Sequence, residues 1–184
     1  MAVKERVRFG GRSARIQAEV HKAVEELSAT TDRAELTVPQ IAARAGVTPS
    51  TIYRRWGDLS ELLADVAVKR LRPIADPADT GSMKGDLEAW TEQYMEEMSS
   101  PVGRSLLRDV FAKPDEDSYA GKCCRFTYDH LQTISERAAA RGERPFEVDA
   151  AVDLVVAPIV YHILFADRPL EPAYCRSLVA RVVE

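Results

Sequence analysis

The chain has 184 residues, enough for one large or two small domains, and its 46% hydrophobic content belongs to a globular protein rather than a disordered one. No uninterrupted apolar run reaches ~18 residues, and the opening MAVKERVRFGG is basic without the apolar h-region of a signal peptide, so a cytoplasmic protein with no membrane partner is expected. The net charge of −4 hides an asymmetry: 13 Lys and Arg against 9 Asp and Glu through Arg72 give +4, and 12 against 20 beyond it give −8, as in a basic nucleic-acid reader joined to an acidic body.

Lys4, Arg6, Arg8, Arg12 and Arg15 against Glu5 make the first 15 residues +4. Such an arm can neutralise phosphates or reach a minor groove; it can equally be a solvated tail. A first helix is expected from about Arg12 to Ser28, with Ile16, Val20, Ala23, Val24 and Leu27 as its stripe, then a polar turn over residues 30–35. Thr37, with Gln40 three residues on and Pro39 in the first turn, reads as a capping box. Val38, Ile41, Ala42 and Ala45 fall on one face, and Gly46 stops the helix where positive φ is cheap. Thr48-Pro49 opens a second helix at once, N-cap then Pro at N1, with Ile52 and Trp56 on its buried side. Two short helices across a tight glycine turn make a helix-turn-helix, whose second helix can enter a DNA major groove.

A fourth helix follows from about Asp58 to Ile74, with Asp58-x-x-Glu61 at its start and an apolar face of Leu59, Leu62, Leu63, Val66, Ala67 and Leu71. Pro73–Ser82 reads as a linker. Beyond it every segment reads as helix: about Met83–Ser99, Pro101 to before Pro114, Asp115–Arg141, Phe146–Ala166 and Pro172–Val183. That gives nine helices and no β-alternating run, an all-α fold. The expected divisions are 1–57, a helix-turn-helix DNA-binding domain; 58–82, connecting helix and linker; and 83–184, a helical bundle.

The penultimate helix is apolar on more than one side, through Val148, Val152, Val155, Val156, Ile159, Val160, Ile163 and Leu164, and the last carries Leu170, Tyr174, Leu178, Val179, Val182 and Val183. A helix apolar almost all round is buried on both flanks, which argues for a homodimer seam. Val152, Ile159, Ile163, Tyr174, Leu178 and Val182 are the residues expected there. Pro158 is expected to kink its helix.

His21, His130 and His162 lack ligand-spaced partners, and there is no Glu-x-x-His pair, Gly-rich phosphate loop or Gly-x-Ser-x-Gly elbow. No cofactor, metal or catalytic residue is expected. Cys123, Cys124 and Cys175 read as buried and reduced.

Thr37-Val38-x-x-Ile41-Ala42-x-x-Ala45-Gly46-Val47-Thr48-x-x-Thr51-Ile52-Tyr53-x-x-Trp56, followed by Leu62-Leu63, resembles the N-terminal domain of TetR-type repressors over about 50 residues. Leu59 departs from the family, which usually places a phosphate-contacting Lys at that position. Pro101-Val102-Gly103-Arg104-x-Leu106-Leu107, Asp153-Leu154-x-x-x-Pro158-x-x-Tyr161 and Pro169-Leu170 are similar to a subgroup of the family's C-terminal bodies.

The resemblance implies a transcriptional regulator on double-stranded DNA, at a palindromic operator, released by a small and mainly hydrophobic effector. Thr48, Pro49, Ser50 and Thr51 would face base edges, Arg54 a guanine or a phosphate, and Thr37, Tyr53, Arg55 and Arg12 the backbone. The helices bearing Trp90, Phe111 and Phe126 would surround the effector, with Tyr94, Tyr128 and His130 among its contacts. The rival readings are a constitutive DNA binder without effector and an all-α small-molecule-binding protein.

Overall fold

The computed structural model describes residues 10–111, 119–166 and 169–183. The basic arm at Lys4, Arg6 and Arg8 and the side chain of Arg12 lie outside the described residues. Two compact units divide between Val66 and Ala67, inside the fourth helix rather than before it.

The first unit contains α1 (Gly10–Ser28), a 3₁₀ turn (Arg33–Glu35), α2 (Val38–Ala45), α3 (Pro49–Trp56) and the start of α4 (Leu59–Leu71). The box at Thr37 forms as expected: the Thr37 N–H donates to Gln40 Oε1 at 2.8 Å while Thr37 Oγ1 accepts from the Gln40 N–H. Gly46 closes α2 at φ 66°, and its N–H and that of Val47 return to carbonyls of the last turn. The chain then reverses directly into α3. Val20, Val24, Ile41, Ile52, Trp56 and Leu62 form the centre of this core. Each apolar stripe read from the 3.6-residue period therefore meets the others here.

The second unit contains α5 (Met83–Ser99), α6 (Pro101–Phe111), α7 (Tyr119–Ala140), α8 (Val148–Phe165) and α9 (Pro172–Val183). α5 is central and packs against the other four. At its junction with α6 the backbones nearly touch: a Cβ on Gly103 would lie 2.1 Å from the Glu97 carbonyl oxygen. Among the described residues there is no strand.

α8 differs from expectation in two ways. The residues before Pro158 form a π turn, Val152–Val156, where the Ala157 N–H reaches back five residues to the Val152 carbonyl. A proline ring clashes with the carbonyl four residues earlier, and the wider turn re-registers the backbone there. Secondly, Ile159, Ile163 and Leu178 are at most 2% exposed and sit in the unit's own core with Val155 and Val179. Side chains with no accessible surface cannot form a seam, so these three expected partner contacts are corrected. Val152, Tyr174 and Val182 are half-buried against the same core. Leu154, Tyr161 and Phe165 are exposed instead, at 38, 60 and 74%.

By length and mean hydropathy (1.8) α8 could cross a membrane, although no unbroken apolar run showed this in the sequence, because Asp149 and Asp153 interrupt it. Its inner side is Ala151, Val155, Ile159 and Ile163, a wall of the helical core. The cysteines are free, and only Cys175 is buried; Cys123 is half-buried and Cys124 exposed, against the expectation of three buried thiols.

Candidate nucleic-acid interface and ligand cavity

The outer face of α3 is polar because its inner face is not. Ile52 and Trp56 are buried, which turns Thr48, Pro49, Ser50, Tyr53 and Arg54 to solvent and leaves Thr51 half-buried. Thr48 makes no side-chain cap. Its hydroxyl instead meets Ser50 Oγ at 2.9 Å and Thr51 Oγ1 at 3.0 Å, a row of three hydroxyls at the helix start. Thr37 is exposed at the start of α2, its hydroxyl donating to Gln40 Oε1 at 2.7 Å.

Arg55 is differently placed from Arg54. Its guanidinium donates to Ser13 Oγ at 2.8 Å and Gln17 Oε1 at 3.2 Å and lies 5.4 Å from the Trp56 ring centroid, so it ties α3 to α1. Leu59, where the resemblance leads one to expect Lys, packs on the core of this unit.

Sequence reasoning missed the residue beneath this surface. Asp65 Oδ2 accepts from Trp56 Nε1 at 2.8 Å and Gln17 Nε2 at 3.1 Å, and lies 2.8 Å from His21 Nε2. Partial burial pushes the Asp65 carboxyl up, but the bonds from His21, Trp56 and Gln17 outweigh that and hold it below the ordinary carboxylate range. A polar hub thus joins α1, α3 and α4. The only sequence signals were a His on the inner face of the first helix and an acid inside the fourth.

In the second unit a cavity of about 570 Å³ opens between α5, α6, α7, the end of α4 and residues 72–78. Trp90, Tyr94, Phe126 and His130 line it as the resemblance implies. Phe111 and Tyr128 do not, which corrects their expected role: Phe111 is exposed, and Tyr128 donates to Asp149 Oδ1 at 2.8 Å. The α6 wall comes from Val102, Leu106 and Leu107. Trp90 stacks on Tyr94 at 5.2 Å between centroids and donates from Nε1 to His130 Nδ1 at 3.1 Å. Burial pushes the Tyr94 phenol well up, keeping it neutral, and pushes the Cys123 thiol up to about 11, which favours its protonated form.

The linker wall is fixed by charges the sequence reading did not single out. Asp86 is fully buried, and burial alone raises its carboxyl. Two bonds from Thr80, at 2.6 Å from the N–H and 2.7 Å from Oγ1, and one at 3.0 Å from Arg141 Nη2 bring it below the ordinary range. Arg137 donates to the carbonyls of Pro77 and Ala78, the last residues of that wall.

These features coincide with two family descriptions. Residues 22–66 match the model of bacterial regulatory proteins of the tetR family, and residues 77–182 match a tetracyclin repressor-like C-terminal domain. The HTH-type transcriptional regulator AqdR of Rhodococcus erythropolis is 30% identical over 113 residues, which is 61% of this chain and 54% of AqdR. An uncharacterized HTH-type transcriptional regulator of Bacillus subtilis is 26% identical over 151 residues, 78% of this chain and 76% of that protein. Among solved structures, the TetR family transcription regulator SCO0332 superposes with a TM-score of 0.67 at 26% identity, covering 90% of this chain and 95% of its own. With a helix-turn-helix head and a matching helical body, the chain belongs to the TetR family, a DNA-binding transcriptional regulator and not an enzyme.

Proposed function

We propose that this regulator is a homodimeric repressor that leaves a palindromic operator when a small, mainly apolar ligand fills the cavity of its second unit. The observation that carries the reading is that cavity. It is preformed, walled by aromatic and aliphatic side chains of three helices, and of a size that suits a drug-like molecule. In the first unit, Thr48 at the N-cap of α3 and Ser50 and Arg54 within it offer hydroxyls and a guanidinium to base edges, with Pro49 beside them for thymine methyls. Thr37 and Tyr53 flank them and suit phosphate contact. The partner-facing residues are Leu154, Tyr161 and Phe165, the exposed apolar side of α8, since a two-fold copy would cover the same patch on both protomers.

The test is fluorescence anisotropy with labelled DNA from beside the gene. A ligand found by thermal-shift screening with apolar compounds is expected to lower operator affinity and, by linkage, to bind the operator complex more weakly by the same factor. Ligand binding with unchanged operator affinity would leave a constitutive DNA binder. Absence of any sequence-specific shift would leave a small-molecule-binding protein.

A further inference from the structure

The hydrogen bond from Trp90 to His130 has a consequence for what the cavity accepts. An indole N–H can only donate, so His130 Nδ1 must present its lone pair, and the neutral imidazole then carries its proton on Nε2. Among the described residues Nε2 has no hydrogen-bond partner and it is not a fully buried atom, and His130 is part of the cavity lining. Tyr94, on the same wall, stacks on Trp90 and its hydroxyl likewise has no partner among the described residues. Two of the neighbouring polar side chains turn to partners of their own. Gln93 Nε2 donates to Glu97 Oε1 at 2.8 Å, and Thr127 Oγ1 turns back to the Cys123 carbonyl. At the mouth Arg70 and Arg72 are matched in number by Asp76 and Glu97, so no excess of fixed charge calls for an ionic ligand.

Apart from the solvent-exposed Arg70 and Arg72, His130 and Tyr94 are thus two donors set in an aromatic and aliphatic wall. We infer that the cavity selects uncharged aromatic ketones, the carbonyl oxygen accepting from His130 Nε2–H with Tyr94 Oη–H beside it. This rests on the cavity being the ligand site, and it adds the chemistry by which His130 and Tyr94 discriminate among apolar molecules. A hydrocarbon of the same shape leaves both donors without an acceptor and displaces the water that would satisfy them. The Trp90 bond holds the imidazole in the one tautomer that donates into the cavity.

Benzophenone and diphenylmethane differ only in a carbonyl replacing a methylene, and their affinities for the full-length protein can be compared by calorimetry. The ketone is expected to bind roughly 3- to 10-fold more tightly, the effect of one net hydrogen bond. His130→Phe should erase that preference, read as the ratio of the two affinities so that any general change in the cavity cancels. Equal affinities for the two probes in the wild type, with both bound, would overturn the inference and leave the cavity reading intact. So would a preference that survives in both His130→Phe and Tyr94→Phe. Failure of both probes to bind would overturn the inference, while the screen with apolar compounds tests the cavity reading separately. A ligand-free check uses histidine ¹⁵N shifts at pH 8: His130 should show a pyrrole-type Nε2 and a pyridine-type Nδ1, with the tautomers mixing in Trp90→Phe. The opposite tautomer in the wild type would overturn the inference directly.

Discussion

Asp65 was invisible as a functional element of the sequence because its partners lie 9, 44 and 48 residues away, beyond the reach of any local pattern. Its folded carboxyl lies below the ordinary range, so its contribution to stability is complete above about pH 4 and fades as pH falls through the lower folded value. Asp65→Asn should cost about 1–3 kcal/mol at pH 7, because the charge that the three donors face is lost. Thermal unfolding from pH 7 to pH 3 should show the gap to wild type closing below about pH 4. A gap constant across that range would mean the carboxylate charge is not what matters. The Ser50 hydroxyl was readable from sequence, since it projects about 160° from Ile52 on a helical wheel, whereas Thr48 falls four residues before Ile52 and is exposed because it stands at the N-cap, before the helix proper. Arg55 was not: its engagement with Ser13 and Gln17 depends on how α1 crosses α3. Ser50→Ala should therefore lose about 1–3 kcal/mol of discrimination at particular base pairs. Arg55→Ala should lower the melting temperature slightly, with a loss on operator and random DNA alike. Equal losses of Ser50→Ala on both DNAs would displace the recognition face from α3.

Helix boundaries were legible where end chemistry is strong. The capping box at Thr37, Gly46, Thr48-Pro49 and the span Met83–Ser99 all appear where the sequence placed them. The phase of α8 was not legible. Its buried residues Ala151, Val155, Ile159 and Ile163 recur every four residues, as do the exposed Asp153, Ala157, Tyr161 and Phe165. A four-residue spacing drifts about 40° per step in a 3.6-residue helix, and the π turn absorbs part of the drift. A helix apolar almost all round does not say which flank packs inward, and Ile159 and Ile163 lie on the inner one. The α5–α6 corner carries a sharper constraint. Gly103 has no room for a methyl group, since the atoms in its way are backbone: Glu97 O at 2.1 Å and Met98 Cα at 2.8 Å. Gly103→Ala should destabilise the protein by about 1–3 kcal/mol despite its better helix propensity. Chemical denaturation would read this directly, and an unchanged midpoint would mean the corner opens freely.

At the scale of the whole molecule, the charge asymmetry was readable from composition, but the division between Val66 and Ala67 was not. α4 runs without a break through Val66 and Ala67, so no turn chemistry marks the division. The surplus of apolar surface was also readable, as a total though not by residue. Ile159 fills the core of the protomer, whereas Tyr161 and Phe165 stand in solvent with their rings 5.3 Å apart. A charge at Ile159 would bury an unpaired ion and should unfold the second unit, at a cost of several kcal/mol. A charge at Phe165 leaves the isolated protomer almost untouched, because its side chain has little to lose there. If a second copy covers this face, Phe165→Glu places like charges near the two-fold axis in a desolvated seam, and the dimer should dissociate while far-UV circular dichroism stays helical. Sedimentation velocity at micromolar concentration separates the cases. Wild type should run as a dimer, Phe165→Glu as a folded monomer, and Ile159→Glu as unfolded or aggregated material. A folded monomer in the wild type would remove the seam from α8, and a dimer that tolerates both Tyr161→Glu and Phe165→Glu would move it to another surface.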